Sequence, residues 1–181
     1  MTYCTLGIDP GSNYTGWAVI ENETDKVVRS GCISVGSKVR GYKRRIISIA
    51  NILEGILYGL QDEGYKITHA AIESQFVSFN PSSTITLSRA TGALIFVIYR
   101  TTGVIAEDVA PRAAKSVFDV SPKEYEGTKY QRRKKMGEDM KSIAKERYSV
   151  DCRRDDEAFA IAIAEVIRGK HLDEAEIPRS K

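Results

Sequence analysis

Residues 4–35 read CTLGIDPGSNYTGWAVIENETDKVVRSGCISV and contain three predicted strands from which the rest of the fold follows. We place these strands at Cys4–Asp9, Gly16–Glu21 and Val27–Val35, since apolar residues are concentrated in each and turn-forming residues separate them. Both separating turns are short. Short connections favour antiparallel pairing, so the three strands should form a meander.

Beyond the meander, helices and strands alternate along the chain. The predicted elements are a helix at Tyr42–Leu60, a strand at Ile67–Glu73, a helix at Ser82–Tyr99, a strand at Val104–Val109, a short helix and turn at Pro111–Ser121, a basic helix at Lys129–Tyr148 and an apolar helix at Asp155–Arg168. Strands separated by helices are typical of parallel additions to a sheet. We therefore predict the α/β class, with a mixed five-stranded sheet (antiparallel meander plus two parallel strands) flanked by helices. Residues 1–168 should form a single domain and residues 169–181 a polar C-terminal tail.

The composition excludes several classes of protein. The 181 residues suffice for one domain, and 42% hydrophobic with 28% charged residues is typical of a globular protein. The longest apolar run, Ala93–Tyr99, is far shorter than the roughly 20 residues of a membrane span, so we expect no membrane association. Cys4, Cys32 and Cys152 never show CxxC spacing. This spacing favours free thiols in a reducing compartment, so we expect an intracellular, cytoplasmic protein. A nucleoid and a viral replication site are both compatible with this expectation.

The net charge of +3 conceals an uneven distribution. Residues 129–154 contain ten lysines and arginines against four acidic residues, and residues 38–45 contain five basic residues and no acidic one. Concentrated positive charge of this kind is typical of a surface that binds nucleic acid.

Acidic residues stand at the ends of three predicted elements. Asp9 and Glu73 close two strands, and Asp155-Asp156-Glu157 opens the last helix. Each also fits a structural role: Asp9 could accept from the turn amides of Gly11 and Ser12, Glu73 could pair with a base, and acids are favoured in the first turn of a helix. If the three segments meet, however, their oxygens suit Mg²⁺ or Mn²⁺, and a pair of such ions is a standard device for phosphodiester hydrolysis.

Three blocks of the sequence occur in an order typical of one family. They are GIDPGSNYTGWAVI at Gly7–Ile20, IESQFVSFNPSS at Ile72–Ser83 and AFAIAIA at Ala158–Ala164. Together they resemble the motifs of the RuvC family of Holliday-junction resolvases. The resemblance implies an RNase H-like fold, a homodimer, and divalent-metal-dependent, symmetrical nicking of four-way DNA junctions. It makes Asp9 and Glu73 catalytic carboxylates and Phe76 the aromatic residue that stacks on junction bases.

The last helix departs from the family pattern of two acids three residues apart, and it can be aligned with that pattern in two registers. One aligns Arg154 and Glu157 with the acids, and the other aligns Asp155-Asp156 with the acidic pair and Phe159 with the final aspartate. Asp155, Asp156 and Glu157 cannot all face one site from a regular helix. We rank Asp156 first as a catalytic and metal-binding residue, followed by Asp155 and Glu157.

The basic helix supplies candidate DNA-binding residues. Arg132, Arg133, Lys134 and Lys135 form a run of four bases that matches the position of the family's lysine-bearing region. Such a run can also be a solvated face, but beside a nuclease site phosphate binding is the better interpretation. The sequence does not decide whether Lys115, Lys134 or Lys135 approaches the scissile phosphate.

Several other functions compete with that of a junction resolvase. They are a nuclease for other branched DNA or for RNA (YqgF-like), a noncatalytic binder of branched DNA, and an ATP-using protein of the actin and sugar-kinase class. The last class needs two such domains and a second Gly-rich phosphate loop, so we expect no nucleotide cofactor. The expected cofactors are two Mg²⁺ ions per site, for which Mn²⁺ can substitute.

Overall fold

The computed structural model describes residues 1–36, 39–75, 81–121 and 125–176, the last four of them as backbone only. The elements, in chain order, are β1 (Thr2–Asp9), β2 (Tyr14–Glu21), β3 (Val27–Ser34), α1 (Tyr42–Asp62), β4 (Tyr65–Glu73), α2 (Pro81–Thr102), β5 (Glu107–Val109), α3 (Pro111–Val117), α4 (Lys129–Tyr148) and α5 (Asp155–Glu176). Every predicted element is present, and apart from the end of α5 its bounds lie within a few residues of those expected.

The five strands form one mixed sheet in the order β3-β2-β1-β4-β5. Strands β1, β2 and β3 pair antiparallel, whereas β4 pairs parallel with β1 and β5 pairs parallel with β4. This is the predicted meander with two parallel additions. The central position of β1 places the carboxyl ends of β1 and β4 side by side.

Alternate residues of β1 face two different layers of helices. Leu6 and Ile8 are fully buried in an apolar cluster with α1 and α2. On the opposite face, α5 packs on β1 and β2, while α3 and α4 pack on α5. The sheet is therefore covered on both faces, as expected for parallel strands.

Glycines in β1 and β2 allow α5 to lie directly on the sheet. A Cβ atom on Gly7 would come within 2.2 Å of the carbonyl oxygen of Ala160, and one on Gly16 within 1.8 Å of that of Asp156. No other residue fits such a close approach between two backbones. Both glycines therefore set the position of the acidic end of α5 relative to β1.

Two predicted boundaries were wrong. β5 begins at Glu107 rather than Val104, because only Glu107–Val109 pair with β4. Helix α5 continues past Arg168 to Glu176. Two polar residues of this extension have a partner distant in sequence: Lys170 and His171 both bond to Glu107, at 2.6 and 2.7 Å. Residues 177–181 lie outside the described part of the chain.

Two other features concern the sequence as a whole. The three cysteines are free thiols, as predicted. Among the described residues, no helix combines the length and the apolar character needed to cross a membrane.

Candidate active site

The first two acidic residues lie at neighbouring strand ends. Ile8 of β1 pairs in parallel register with Ile72 of β4, so Asp9 and Glu73, the next residue in each strand, close adjacent strands at the same edge. The same edge of a sheet is where parallel strands commonly present functional side chains. The condition set out from the sequence, that the segments carrying these two carboxylates meet, is therefore fulfilled.

Helix α5 contributes two further carboxylates. Asp9, Glu73, Asp155 and Asp156 line one cavity of about 360 Å³, which we call the central cavity. Gly16 makes this possible, because its missing side chain lets the backbone of Asp156 lie against β2. Four lysines and arginines line the same cavity, namely Lys115, Lys129, Arg132 and Arg133. The central cavity thus contains four carboxylates and an equal number of cations.

The surroundings raise the pKa of two of these acids, Asp9 and Glu73. Burial raises the pKa of Asp9 well above its usual value, and the negative charges of Glu73, Asp156 and Asp155 raise it further, while Arg133 opposes them. Burial also raises the pKa of Glu73, against the effects of Lys115 and Arg133. A bound cation would relieve this repulsion, because it favours the charged form of every carboxylate around it.

The sequence allowed Asp9 to accept a hydrogen bond from the Gly11 amide in the following turn, but this amide has another acceptor. The Gly11 amide donates to the hydroxyl oxygen of Thr15 at 3.3 Å, and this hydroxyl donates to the Gly11 carbonyl at 3.0 Å. Thr15 therefore supplies the side-chain hydrogen bonds of Gly11, and Arg45 donates to the Ser12 carbonyl at 3.3 Å. The carboxylate of Asp9 is left to face the central cavity.

Asp156 is held by a neighbouring arginine. The Arg154 Nε donates to Asp156 Oδ2 at 2.8 Å, and its guanidinium carbon lies 3.7 Å from the centre of the Tyr14 ring. Cation–π stacking of this kind restricts the guanidinium to one plane. Arg154 therefore fixes the orientation of the Asp156 carboxylate at the edge of the cavity.

Glu157 does not join the other acids. Its side chain is buried, accepts a hydrogen bond from the Ser30 hydroxyl at 2.7 Å and another from the Arg153 amide at 3.1 Å. Phe159 instead lines the central cavity together with Asp155 and Asp156. Of the residues at the start of α5, Asp155, Asp156 and Phe159 therefore line the cavity, whereas Glu157 fastens α5 to β3.

The donor chemistry of the central cavity suits a hard divalent cation. Carboxylate oxygens are the protein ligands that Mg²⁺ and Mn²⁺ prefer. Within the described part of the chain, however, no three His, Cys, Asp or Glu side chains are already close enough together to hold a metal ion. The Arg154 contact gives one reason, since it engages an oxygen of Asp156. Metal binding by three or more of these groups thus requires side-chain rotation.

The predicted DNA-binding residues divide into those that reach this cavity and those that do not. Lys115, Arg132 and Arg133 line it. Lys134 instead lies 4.0 Å from Glu138 and faces a different cleft, and Lys135 is exposed and lines neither. Phe76 lies outside the described residues.

Sequence reasoning missed Lys129, which lines the central cavity. Its spacing contained the signal: Lys129, Arg132, Arg133 and Met136 follow the i, i+3, i+4, i+7 pattern of one helix face, and all four line the cavity.

A capping box fixes the start of this helix, with the Gln131 amide donating to the Thr128 hydroxyl and the Thr128 amide donating to Gln131 Oε1.

The sheet order, the helix α5 across it and the carboxylates at the ends of β1 and β4 define an RNase H-like domain. A sequence model of the family described as crossover junction endodeoxyribonuclease RuvC matches residues 5–164. The chain belongs to the RuvC family.

Comparison with individual proteins agrees with this assignment. The chain is 37% identical over 123 residues to the crossover junction endodeoxyribonuclease RuvC of Methylobacillus flagellatus, covering 65% of this chain and 66% of the relative. It is 33% identical to that of Polynucleobacter asymbioticus, covering 62% and 63%. The matches thus span just under two thirds of these relatives.

Solved structures show the same fold at lower sequence identity. The RuvC of T. thermophilus in complex with a Holliday junction substrate superposes with a TM-score of 0.69 at 17% identity, covering 94% of this chain and 96% of that one. The yeast mitochondrial Holliday junction resolvase gives a TM-score of 0.53 at 17% identity, covering 96% and 83%. The predicted RNase H-like fold is confirmed.

Proposed function

We propose that this protein is a metal-dependent endodeoxyribonuclease that resolves four-way DNA junctions by paired symmetrical nicks. The observation that carries the proposal is the central cavity, in which Asp9, Glu73, Asp155 and Asp156 face Lys115, Lys129, Arg132 and Arg133. Metal-assisted phosphodiester hydrolysis requires carboxylates that bind metal ions and, beside them, basic side chains that bind phosphates. The RuvC family model over residues 5–164 supports the choice of substrate.

The four carboxylates would hold two Mg²⁺ ions, for which Mn²⁺ can substitute. Such ions supply an activated water and stabilise the charge that develops on the leaving 3′ oxygen. The acids are placed for this by separate elements: the ends of β1 and β4 supply Asp9 and Glu73, and the first turn of α5 supplies Asp155 and Asp156. Glu157 is left out of the proposed ligand set, because its carboxylate is engaged by Ser30 and the Arg153 amide.

The cations of the cavity would hold the scissile strand. Lys129, Arg132 and Arg133 project from one face of α4, and Lys115 from α3 on the Glu73 side, where it lowers the pKa of that residue. Cations in the first turn of a helix are disfavoured by about 0.3–1 kcal/mol each, so their presence at the start of α4 is most easily explained by an anionic partner. Phe76 keeps its proposed role as a wedge that stacks on an unpaired base.

A homodimer is part of the proposal. Paired symmetrical nicks need two active sites, and the described residues of one chain contain one central cavity. Light scattering coupled to size exclusion should give twice the mass of the chain, both free and on a junction. A monomer that makes both cuts in one binding event would contradict this part.

The test of function uses labelled four-way junctions incubated with Mg²⁺ or Mn²⁺. We expect paired nicks at symmetrical positions from the wild-type protein, and junction binding without nicks from Asp9→Asn. Asp62→Asn is the matched control, since Asp62 is an exposed residue at the end of α1, on the other face of the sheet. Linear duplexes of the same sequence should remain intact.

One observation favours a second candidate, a noncatalytic binder of branched DNA. Asp156 is engaged by Arg154, and Phe159 lines the cavity close to it. Tight junction binding with no nicks under either metal would favour this candidate over the nuclease. Cleavage of RNA or of flaps in preference to four-way junctions would instead favour a nuclease of different substrate range.

A further inference from the structure

A second cleft lies beside the central cavity, and it has a different charge balance. This outer cleft, of about 210 Å³, is lined by Lys134, Gly137, Glu138, Lys141, Arg153, Arg154 and Asp155. Four of these residues are cationic and two are anionic. The central cavity, by contrast, contains four of each. The outer cleft therefore attracts anions without the help of a metal ion.

Two of the four cations have no carboxylate partner among the residues that the structure describes. Lys134 lies 4.0 Å from Glu138, and Arg154 is paired with Asp156. Lys141 and Arg153 form no ion pair with any residue that the structure describes. Lys141 is also half-buried, which makes an unpaired charge costly. A ligand that brings negative charge would offset this cost.

The outer cleft and the central cavity are neighbours on the same two elements. Helix α4 faces the central cavity with residues 129, 132, 133 and 136, and faces the outer cleft with residues 134, 137, 138 and 141. The side chain of Asp155 lines both. Gly137 brings α4 close to Asp155, since a Cβ atom there would lie 2.9 Å from the Cβ of Asp155. The outer cleft is therefore within reach of a strand held in the central cavity.

We infer that the outer cleft binds a backbone phosphate of the DNA other than the scissile one, through Lys141 and Arg153 together with Lys134 and Arg154. The inference rests on the proposed function, because it takes the DNA strand to be held in the central cavity. Two phosphate contacts on opposite sides of Asp155 fix the direction of the strand across the site. The outer cleft thus sets the register of the cut without reading base sequence.

The first experiment measures the salt dependence of junction binding in EDTA, where no cleavage occurs. Lys141→Ala and Arg153→Ala should each reduce the slope of log K against log salt concentration by about 0.9, the value for one lost phosphate contact. Lys145→Ala is the matched control. It removes the same charge from the same helix, but Lys145 is exposed, pairs with Asp151 at 3.7 Å and lines neither site. Its slope should match that of the wild type.

The second experiment replaces single phosphates by uncharged methylphosphonates along the junction strands near the mapped cut. One position should weaken binding by the wild-type protein and by Lys141→Arg, yet have no effect on the Lys141→Ala/Arg153→Ala double variant. Unchanged circular dichroism and melting temperature show that the variants fold.

Two outcomes would overturn the inference. One is an equal change of slope in the Lys141, Arg153 and Lys145 variants, which would mean a general charge effect. The other is a methylphosphonate effect that persists in the double variant. Failure of the proposed function is seen separately, as junctions that stay uncut by the wild-type protein under every metal, because the outer-cleft measurements depend on binding alone.

Discussion

Arg154 and Asp156 form an ion pair at the edge of the central cavity, with 2.8 Å between Nε and Oδ2. The three other carboxylates of this cavity have no ion pair with any described residue. The pair joins a residue of the loop before α5 to a residue of its first turn. Arg154 thereby supplies a positive charge where a divalent cation is expected to bind.

Removal of this arginine should make stability more dependent on metal. In Arg154→Ala, Asp156 is left unpaired near Asp9, so the metal-free protein should lose about 1 kcal/mol, or roughly 2–4 °C in melting temperature. Addition of Mg²⁺ should raise the melting temperature more in this variant than in the wild type. Arg29→Ala, which breaks an exposed pair with Glu63, is the control. An equal response to Mg²⁺ in the wild type and both variants would count against the ion pair as a substitute for the metal.

Neutralisation of Asp9 should stabilise the metal-free protein. The pKa of Asp9 is raised in the folded state by burial and by Glu73, Asp156 and Asp155, so the folded state binds its proton more tightly than the unfolded state does. The contribution of protonated Asp9 to the free energy of unfolding is therefore lost as the pH rises from the pKa of this residue in the unfolded state through its pKa in the folded state. At pH 7, Asp9→Asn should gain about 0.5–2 kcal/mol, as substitutions at strained active sites commonly do.

Thermal melts across pH check this prediction for Asp9. The advantage of Asp9→Asn should shrink below about pH 4, where the wild-type carboxyl is protonated, and it should shrink again when Mg²⁺ is added to the wild type. A variant less stable than the wild type at every pH would assign Asp9 a structural role.

Glu157 should prove structural. Glu157→Ala leaves the partly buried Ser30 hydroxyl and the Arg153 amide without this acceptor, which should cost about 1–3 kcal/mol in all. Glu157→Gln keeps one carbonyl oxygen as an acceptor and should lose less. Both variants should nick junctions at the wild-type rate below their melting temperatures. A large loss of nicking by a fully folded Glu157→Gln would return this residue to the catalytic set.

Gly16 should not tolerate even a methyl group. A Cβ atom would lie 1.8 Å from the carbonyl oxygen of Asp156, so Gly16→Ala must move β2 or α5. We expect a loss of more than about 2 kcal/mol in stability together with loss of nicking, because overpacking displaces the acidic turn. Gly92→Ala is the control, because the added methyl group should be tolerated there.

Gly92 lies in α2, where an added Cβ atom would have no other atom within 4 Å. An alanine there should stabilise the helix by about 0.5–1 kcal/mol and leave nicking unchanged. Melting temperature and nicking rate, measured on both glycine variants side by side, test the two expectations. Equal behaviour of the two would mean that contact with α5 is not what requires Gly16.

The sequence by itself determined the element order and the mixed sheet, and it identified Asp9 and Glu73 as acids that close two strands. These depend on local patterns and on one topological rule, that the carboxyl ends of adjacent parallel strands meet at one edge. A few neighbouring residues are enough to recognise the apolar alternation of β1 and β2. The same is true of the helical spacing of α1. The predicted end of α5 was too early, and the helix beyond it includes Lys170 and His171, which bond to Glu107, a residue distant in sequence.

Only the tertiary structure decided which acids of the first turn of α5 face the cavity. Asp155, Asp156 and Glu157 are consecutive, and the repeating Ala-Ile-Ala that follows them fits two registers equally well. The choice is made by contacts with distant residues: Gly16 receives the backbone of Asp156, and Ser30 binds Glu157. Helix rotation about its axis is set by packing against the sheet, which no local pattern in α5 contains.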